Sequence, residues 1–505
     1  MLARLAVFRD GCTAEAAERV CKADPDALAR LVDRSLVVLD DGGVEPRYRL
    51  LESVAAFALG RLDDPAGVRA EHAAYFTALA ERADPHLRGA EQQRWLTRLD
   101  AEAANLHAAL AHGGGLPLAN ALTWYWILRG RLTEARRALD RDGTAADRAR
   151  AAAWRLGFAL MQGAPIVPEE IRAALAAHPD GRAAWFVANA VIDRGDVTLA
   201  AALLAEPTRG GKQKAPTMGF ADRWIEAAVL SSRAKLAHAR GDLAELERTG
   251  TRSGELFAEL GDRWGRLQAN DWLGGLMEMR GDHEGAAALH RQGLRWAEEL
   301  SLWPEVGGKL SWLAWLAVQT RDWGRARELA GRAYRMAVEQ DAPAAMVFAG
   351  MSLGMAARRT GELDLAVSRL TAIAEQGRAE AQPALYLPMI LVELGYAAEQ
   401  RGEPTAGLAL HLEAFAAARA MEAPRDAVLA LEGMASAVPA PETAARLLGA
   451  TAAARTALGA PAAPAERDET DRVTERVVAA LGRERFEVLV AEGGGLGPDE
   501  ARALV

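Results

Sequence analysis

Leu273-Gly-Gly-Leu-Met-Glu-Met-Arg-Gly-Asp282, Leu353-Gly-Met-Ala-Ala-Arg-Arg-Thr-Gly-Glu362 and Leu394-Gly-Tyr-Ala-Ala-Glu-Gln-Arg-Gly-Glu403 are variants of one pattern. Its closing slot also reads Arg194-Gly-Asp196 and Arg240-Gly-Asp242, and Arg321-Asp322 fills it with Arg where Gly is expected. From the acidic residue at 242 the steps are 40, 40, 40 and 41 residues. Leu313-Ala314 occupies the opening of the pattern, and small residues follow the slot at Ala286, Ala326, Ala366 and Gly407. Gly130, Gly163 and Gly195 extend the series toward the amino terminus at a period of about 33. Leu122 and Ala135 flank the first of these, Ala188 and Ala200 the last.

A recurrent Gly between two apolar stretches has a direct physical reading. Two antiparallel helices joined by a tight turn need a residue that accepts a left-handed cap, and small residues where their axes come closest. The chain is therefore expected to be all-α: a helical-hairpin, tetratricopeptide-like solenoid preceded by a small winged-helix domain. The expected division is 1–62 winged-helix domain, 63–112 connecting helices, 113–437 helical repeats and 438–505 carboxyl-terminal capping helices.

Composition agrees. Half of the 505 residues are hydrophobic, which excludes wholesale disorder. Ala, Leu, Arg and Glu dominate, and aromatics are only 6%, which argues against a mostly-β protein. A net charge of −9 disfavours broad nonspecific binding to nucleic-acid phosphates. The two cysteines, Cys12 and Cys21, make neither a disulfide framework nor a four-ligand zinc site. The longest uncharged runs, 113–128 and 342–357, fall short of a membrane span. Charged residues interrupt the first eleven positions, where a signal peptide would be apolar. A cytoplasmic protein with no membrane partner is expected.

The first sixty residues read as three helices and a hairpin. Thr13 caps a helix reaching Cys21, and Asp24-Pro25 opens another that ends near Arg34. Strands at 35–39 and 48–51 flank the Gly-rich turn 40–43. Leu36-Val-Val-Leu-Asp40 has the look of a Walker B strand. No phosphate loop accompanies it, because Gly211-Lys212 and Gly308-Lys309 lack the upstream Gly and the following Ser or Thr. No cofactor is expected in this chain; an ATP site, if there is one, would lie upstream or on a partner. Arg30 and Arg34 on the third helix, with Arg47 and Arg49 on the wing, are the candidate DNA contacts. Asp26, Asp33, Asp40, Asp41 and Glu45 among them favour a structural or regulatory module, with DNA contact weak or indirect.

Several segments resemble one family. Arg4-Leu-Ala-Val-Phe-Arg-Asp-Gly-Cys-Thr-Ala-Glu-Ala-Ala17, Leu31-Val-Asp-Arg-Ser-Leu-Val37 and Tyr48-Arg-Leu-Leu-Glu-Ser-Val54 carry the resemblance at the front. His72-Ala-Ala-Tyr-Phe76, the stretch Trp95–Leu110 and Trp124-Tyr-Trp-Ile-Leu-Arg-Gly-Arg-Leu-Thr-Glu-Ala135 continue it. Ala444-Ala-Arg-Leu-Leu-Gly-Ala450 and Asp499-Glu-Ala-Arg-Ala503 resemble its closing segment. The family is that of SARP-type and LuxR-type bacterial transcriptional regulators carrying a STAND (NB-ARC-like) ATPase and a helical-repeat region. The resemblance implies a winged helix that packs on the ATPase, and a STAND ATPase module as a partner. Neither the family's phosphate loop nor its carboxyl-terminal DNA reader is expected in this chain. Arg483-Glu-Arg-Phe-Glu-Val-Leu-Val490 only echoes the start of a helix-turn-helix. The expectation is part of a larger regulator, or a stand-alone sensor.

Counting from the Gly slot places Trp315, Met355 and Tyr396 at equivalent groove positions. Asp271, Ser311 and Met351 lie one turn earlier, and Phe348 and Met389 one turn further back. Trp315, Phe348, Met351, Met355, Met389 and Tyr396 are the candidate partner groove, suited to a protein, peptide or small apolar effector. Packing between superhelical turns is the competing reading. Trp272 and Trp312 read as core, Trp303 as exposed, and His283 and His290 as surface histidines. Neither HExxH, GxSxG nor a paired CxxC occurs, and a non-enzymatic role is expected.

Overall fold

The structure, a computed structural model, describes residues 1–43, 45–205, 223–379 and 384–505. Gly211 and Lys212 lie outside the described residues. The chain divides into two compact units. The first comprises Met1–Ala159, Glu169–Ala183 and Leu260–Arg263; the second comprises Leu160–Pro168, Ala184–Glu259 and Trp264–Val505.

Unit 1 begins with α1 (Leu2–Leu5), α2 (Ala14–Cys21) and α3 (Pro25–Asp33). Thr13 caps α2 by accepting from the Ala16 N–H, and Asp24 caps α3 by accepting from the Ala27 N–H at 2.8 Å. The hairpin is present but displaced. Strands β1 (Val38–Asp40) and β2 (Arg47–Arg49) pair antiparallel, with Leu39 opposite Tyr48. Helices α4 (Glu52–Leu59), α5 (Pro65–His86), α6 (Gln92–Ala101) and α7 (Ala103–Ala109) follow, then α8 (Gly115–Arg129) and α9 (Leu132–Leu139). Next come α10 (Ala145–Met161) and α11 (Pro168–Ala177). The segments 1–62, 63–112 and the first repeat hairpin thus share one compact unit.

A buried polar hub explains why the front segment is anchored. Asn105 Oδ1 accepts from the Arg9 N–H at 2.7 Å, and its Nδ2 donates to Gly11 O and to Glu102. Glu102 in turn takes the Arg47 guanidinium at 2.6 Å. Each of these buried groups would be costly alone; together they supply most of one another's hydrogen bonds, with Arg47 Nε left without a partner among the described residues.

Chain order continues through α12 (Gly181–Asp193) and α13 (Val197–Leu204) to the regular array of unit 2. Its hairpins are α14 (Arg223–Arg240) with α15 (Leu243–Leu260), and α16 (Arg263–Met279) with α17 (His283–Glu299). They continue as α18 (Trp303–Gln319) with α19 (Trp323–Glu339), and α20 (Pro343–Arg359) with α21 (Leu363–Arg378). Then come α22 (Leu387–Gln400) with α23 (Pro404–Ala420), and α24 (Pro424–Ala437) with α25 (Pro441–Leu458). The last three helices are α26 (Pro464–Leu481), α27 (Arg483–Gly493) and α28 (Pro498–Arg502). Helix α25 completes the last hairpin, and Val473, Val477, Leu489 and Ala501 continue its core to the end of the chain.

The slot does two jobs. Gly281 takes φ +85°, and the N–H of the next residue, Asp282, bonds back to Met277 O, which closes the first helix. The Asp282 carboxylate then accepts from the Gly285 N–H at 2.8 Å and caps the second helix. Asp242 and Asp322 do the same. Arg321 adopts the left-handed conformation although it is not glycine, and its guanidinium pairs with Asp468. The small positions are close approaches. A methyl on Gly274 would come within 2.5 Å of His290, and one on Gly395 within 2.4 Å of His411.

Candidate functional site

The first helix of each of six successive hairpins faces one space. Side chains of α14, α16, α18, α20, α22 and α24 line a cavity of about 340 Å³, all within unit 2. Its walls are aromatic and methionine-rich. Trp312 is central, edge-on to Trp272 at 6.5 Å and to Phe348 at 5.1 Å, and stacked on His290 at 5.1 Å. Met351 and Met389 complete the apolar side.

The hairpin series curves back on itself to close this space. A methyl on Gly241, after α14, would lie 3.6 Å from Pro424 at the start of α24. Arg425 reaches Glu278 of α16 through two hydrogen bonds of 2.9 and 3.1 Å, between residues 147 apart in sequence. Glu466 of α26 lies 3.4 Å from the same guanidinium. Burial opposes ionisation of Glu278, yet Arg425 outweighs it and holds the carboxyl below its ordinary range. Burial likewise works against the Arg425 cation, and Glu278 and Glu466 more than offset it.

Further ionisable groups line the cavity. Lys235 is paired with Asp193. His238 is half-buried in the wall, and desolvation pushes it down to about 4, so it is neutral at pH 7. Asp426, next to Arg425 in the first turn of α24, makes no ion pair among the described residues. Burial pushes its carboxyl up to about 6; Arg425 opposes that shift and Glu466 adds to it.

The six groove candidates divide. Trp315, Phe348, Met351 and Met389 line the large cavity. Met355 and Tyr396 do not. They are 4% exposed and line, with Trp315 and Met389, a separate space of about 30 Å³ walled by Arg359, Glu393 and Glu469. The Tyr396 ring has Arg358 5.0 Å from its centroid and His411 at 5.1 Å. Both therefore belong to packing, because the first helix of each hairpin also buries a flank against its neighbour. Asp271 and Ser311 are likewise absent from the cavity wall. Asp271 is tied to Lys309 at 2.5 Å and His290 at 3.3 Å. Burial favours its neutral form, but Lys309 and His290 hold it ionised.

Other expectations also need correction. His290 is fully buried rather than on the surface, because the small Gly274 leaves room for its ring. Trp272 and Trp312 are only partly buried and face the cavity. Trp303, by contrast, is exposed at 50%, as expected. Of the candidate DNA contacts, Arg30 and Arg34 are exposed on or just after α3. Arg49 is occupied by Asp10 and Asp40. Arg47 is buried against Glu102 and is not available to a phosphate. Arg425, Asp426, Glu278, Lys235 and His238 were not singled out by the sequence. The repeat equivalence of Trp272 with Trp312 and the counted positions Trp315, Phe348, Met351 and Met389 carried the signal for this face.

Fold and cavity together define a helical-hairpin repeat protein with an internal, partly aromatic site. No family model matches the chain. Over 118 residues it is 41% identical to "Putative HTH-type transcriptional regulator Rv0890c" of Mycobacterium tuberculosis and to its counterpart Mb0914c of Mycobacterium bovis. The match spans 22% of this chain and 13% of the length of those curated relatives. Among solved structures, the chain is similar to a STAND protein with a tetratricopeptide repeat sensor, PH0952 from Pyrococcus horikoshii. That likeness has a TM-score of 0.36 at 13% identity, over 100% of this chain and 64% of the other. A Rap protein complexed with competence and sporulation factor gives 0.46 at 13% identity, over 75% and 99% of the two chains. Among the described residues, no helix is long and apolar enough to cross a membrane.

Proposed function

We propose that this chain is the regulatory, ligand-sensing portion of a transcriptional regulator and carries out no catalysis of its own. The 118-residue match to HTH-type regulators supports the regulatory class. The observation that carries the sensing role is the cavity of about 340 Å³ enclosed by α14 through α24, within the size range of small-molecule sites. An effector or short peptide segment bound there would touch up to six hairpins at once. It would favour the curvature in which α24 meets α16. Any ATP-hydrolysing STAND module and any DNA reader would belong to other parts of such a regulator.

The test fills the cavity instead of hollowing it. Ala344 is an exposed residue on its wall, so Ala344→Trp adds bulk without removing core packing. Fractionated peptides and metabolites are screened by thermal shift against the intact chain and A344W. The reading predicts a fraction that raises the melting temperature of the intact chain and not of the variant. It also predicts altered transcript levels in cells carrying A344W. Identical responses of the two proteins to every fraction would refute it.

A further inference from the structure

We propose that the cavity of unit 2 takes a small apolar molecule bearing one ammonium group. Its charge would sit at Asp426 and its hydrocarbon against Trp272, Trp312 and Phe348. The inference rests on the sensing role proposed above and specifies its ligand.

The charged groups on the cavity wall are almost all paired. Lys235 is neutralised by Asp193, and Arg425 by Glu278. His238 is neutral. What remains on the wall is one carboxylate, Asp426, without an ion-pair partner among the described residues. Asp426 is half-buried, and a carboxylate partly withdrawn from water with no counter-ion is costly; burial pushes its pKa up to about 6. A ligand cation would relieve it. An anionic ligand would meet an unpaired negative charge and two cations already engaged.

The remainder of the wall suits the same ligand. Aromatic faces take a hydrocarbon by burial of apolar surface, and a cation near them, Lys235 Nζ at 5.7 Å from the Trp272 centroid, is already paired with Asp193. Trp272, Trp312 and Phe348 offer three such rings around one space. The volume lies near the lower end for small-molecule sites, which excludes a docked helix. Asp426 also stands in the first turn of α24, where an acid favours the helix dipole. A purely structural role would stop there, so the test must separate the two.

Calorimetric titrations of the full chain would use three probes of one shape: 4-phenylbutylamine, 4-phenylbutanol and 4-phenylbutyrate. The amine is expected to bind at least tenfold more tightly than the alcohol, and the carboxylate most weakly. Asp426→Asn should bring the amine to the level of the alcohol and leave the alcohol unchanged. Circular dichroism would confirm that D426N is folded, and Trp303→Phe, outside the cavity, serves as a control. The groups facing Asp426 are Arg425, His238, Glu278 and the Asp193–Lys235 pair on the cavity wall, with Glu466 on α26. The Asp426 carboxyl is pushed up to about 6, so amine affinity should fall as the pH drops below about 6. Equal binding of amine and alcohol, with both lost in A344W, would overturn the ammonium assignment and leave the sensing role standing. Retention of the amine preference in D426N would overturn the role of Asp426. Absence of binding by all three probes at millimolar concentration would overturn both.

Discussion

Replacing Arg425 with Leu should be among the most damaging single changes in unit 2, and replacing its partner should hurt less. The Glu278 side chain is 2% exposed, and Arg425 supplies both of its hydrogen bonds. Removing the guanidinium leaves a buried carboxylate unpaired, which costs about 3–5 kcal/mol. Glu278→Leu leaves an Arg425 that is 15% exposed and still has Glu466 at 3.4 Å. Its cost should be roughly 1–3 kcal/mol. The double variant replaces the pair with apolar contact and should return to within roughly 2 kcal/mol of the parent. For a unit of this size, the Arg425→Leu penalty corresponds to a fall of roughly 4–8 °C in melting temperature. Acid should distinguish the proteins further. In the parent, Glu278 is depressed by Arg425. The stability from the pair is therefore complete above the carboxylate's unfolded value and is lost as the pH falls through the lower folded one. In Arg425→Leu the main opposing charge is gone, burial raises the carboxyl, and the deficit shrinks on going from pH 7 toward 5. Thermal unfolding of the four proteins across that range is the assay. Equal single-variant costs that add in the double would refute the reasoning.

Four further outcomes follow from the packing. A methyl on Gly449 of α25 would meet the Val490 carbonyl oxygen at 2.0 Å, so Gly449→Ala should destabilise by about 1–3 kcal/mol or more. Gly307 of α18 has nothing within 4 Å of that methyl, so Gly307→Ala should stabilise by about 0.5–1 kcal/mol; urea titration of both checks the pair. Cys12 and Cys21 are buried, with the Cys21 thiol pushed up to about 12 by burial, so a thiol reagent at pH 8 should label neither until the protein unfolds. Arg47→Met should cost about 3 kcal/mol by breaking the buried pair with Glu102, whereas Arg30→Glu and Arg34→Glu should change stability by less than about 0.5 kcal/mol.

The slot residues explain why the repeat was legible and where legibility stopped. Gly281 and Asp282 act locally, one as a left-handed cap and the other as an N-cap, so their spacing sets hairpin length directly. The alternate turns, between one hairpin and the next, carry the same left-handed conformation on Ser301, Asp341 and Glu422. Non-glycine residues there left no periodic mark. The amino-terminal hairpin was visible from its apolar runs and Gly-rich turn, but its strands shifted because the Cys12–Tyr48 bridge holds β2 in place. The groove was half legible. Counting back from the slot along each first helix placed Trp315, Phe348, Met351 and Met389 on one face, since a helix face is a local property. Separating them from Met355 and Tyr396 required knowing which flank packs on the next hairpin. Arg425 and Asp426 were silent because their meaning comes from curvature, the sum of small rotations over several hairpins.

That curvature joins two consecutive residues in one event. Arg425 reaches Glu278 only when the start of α24 meets α16, and the same approach brings Asp426 to the cavity wall. A cation bound at Asp426 therefore binds the closed arrangement and stabilises it by mass action, by about 2.7 kcal/mol at a hundredfold excess over its dissociation constant. The effect should be local. With saturating 4-phenylbutylamine, hydrogen exchange should slow in the first turns of α24 and the last turns of α16. The α17 and α19 helices, behind that layer, should change little. D426N should keep the Arg425–Glu278 closure, and with it the unliganded exchange rates, while losing the response to the amine. Uniform slowing over all of unit 2, or the same slowing in D426N, would mean that closure and recognition are not linked through this turn.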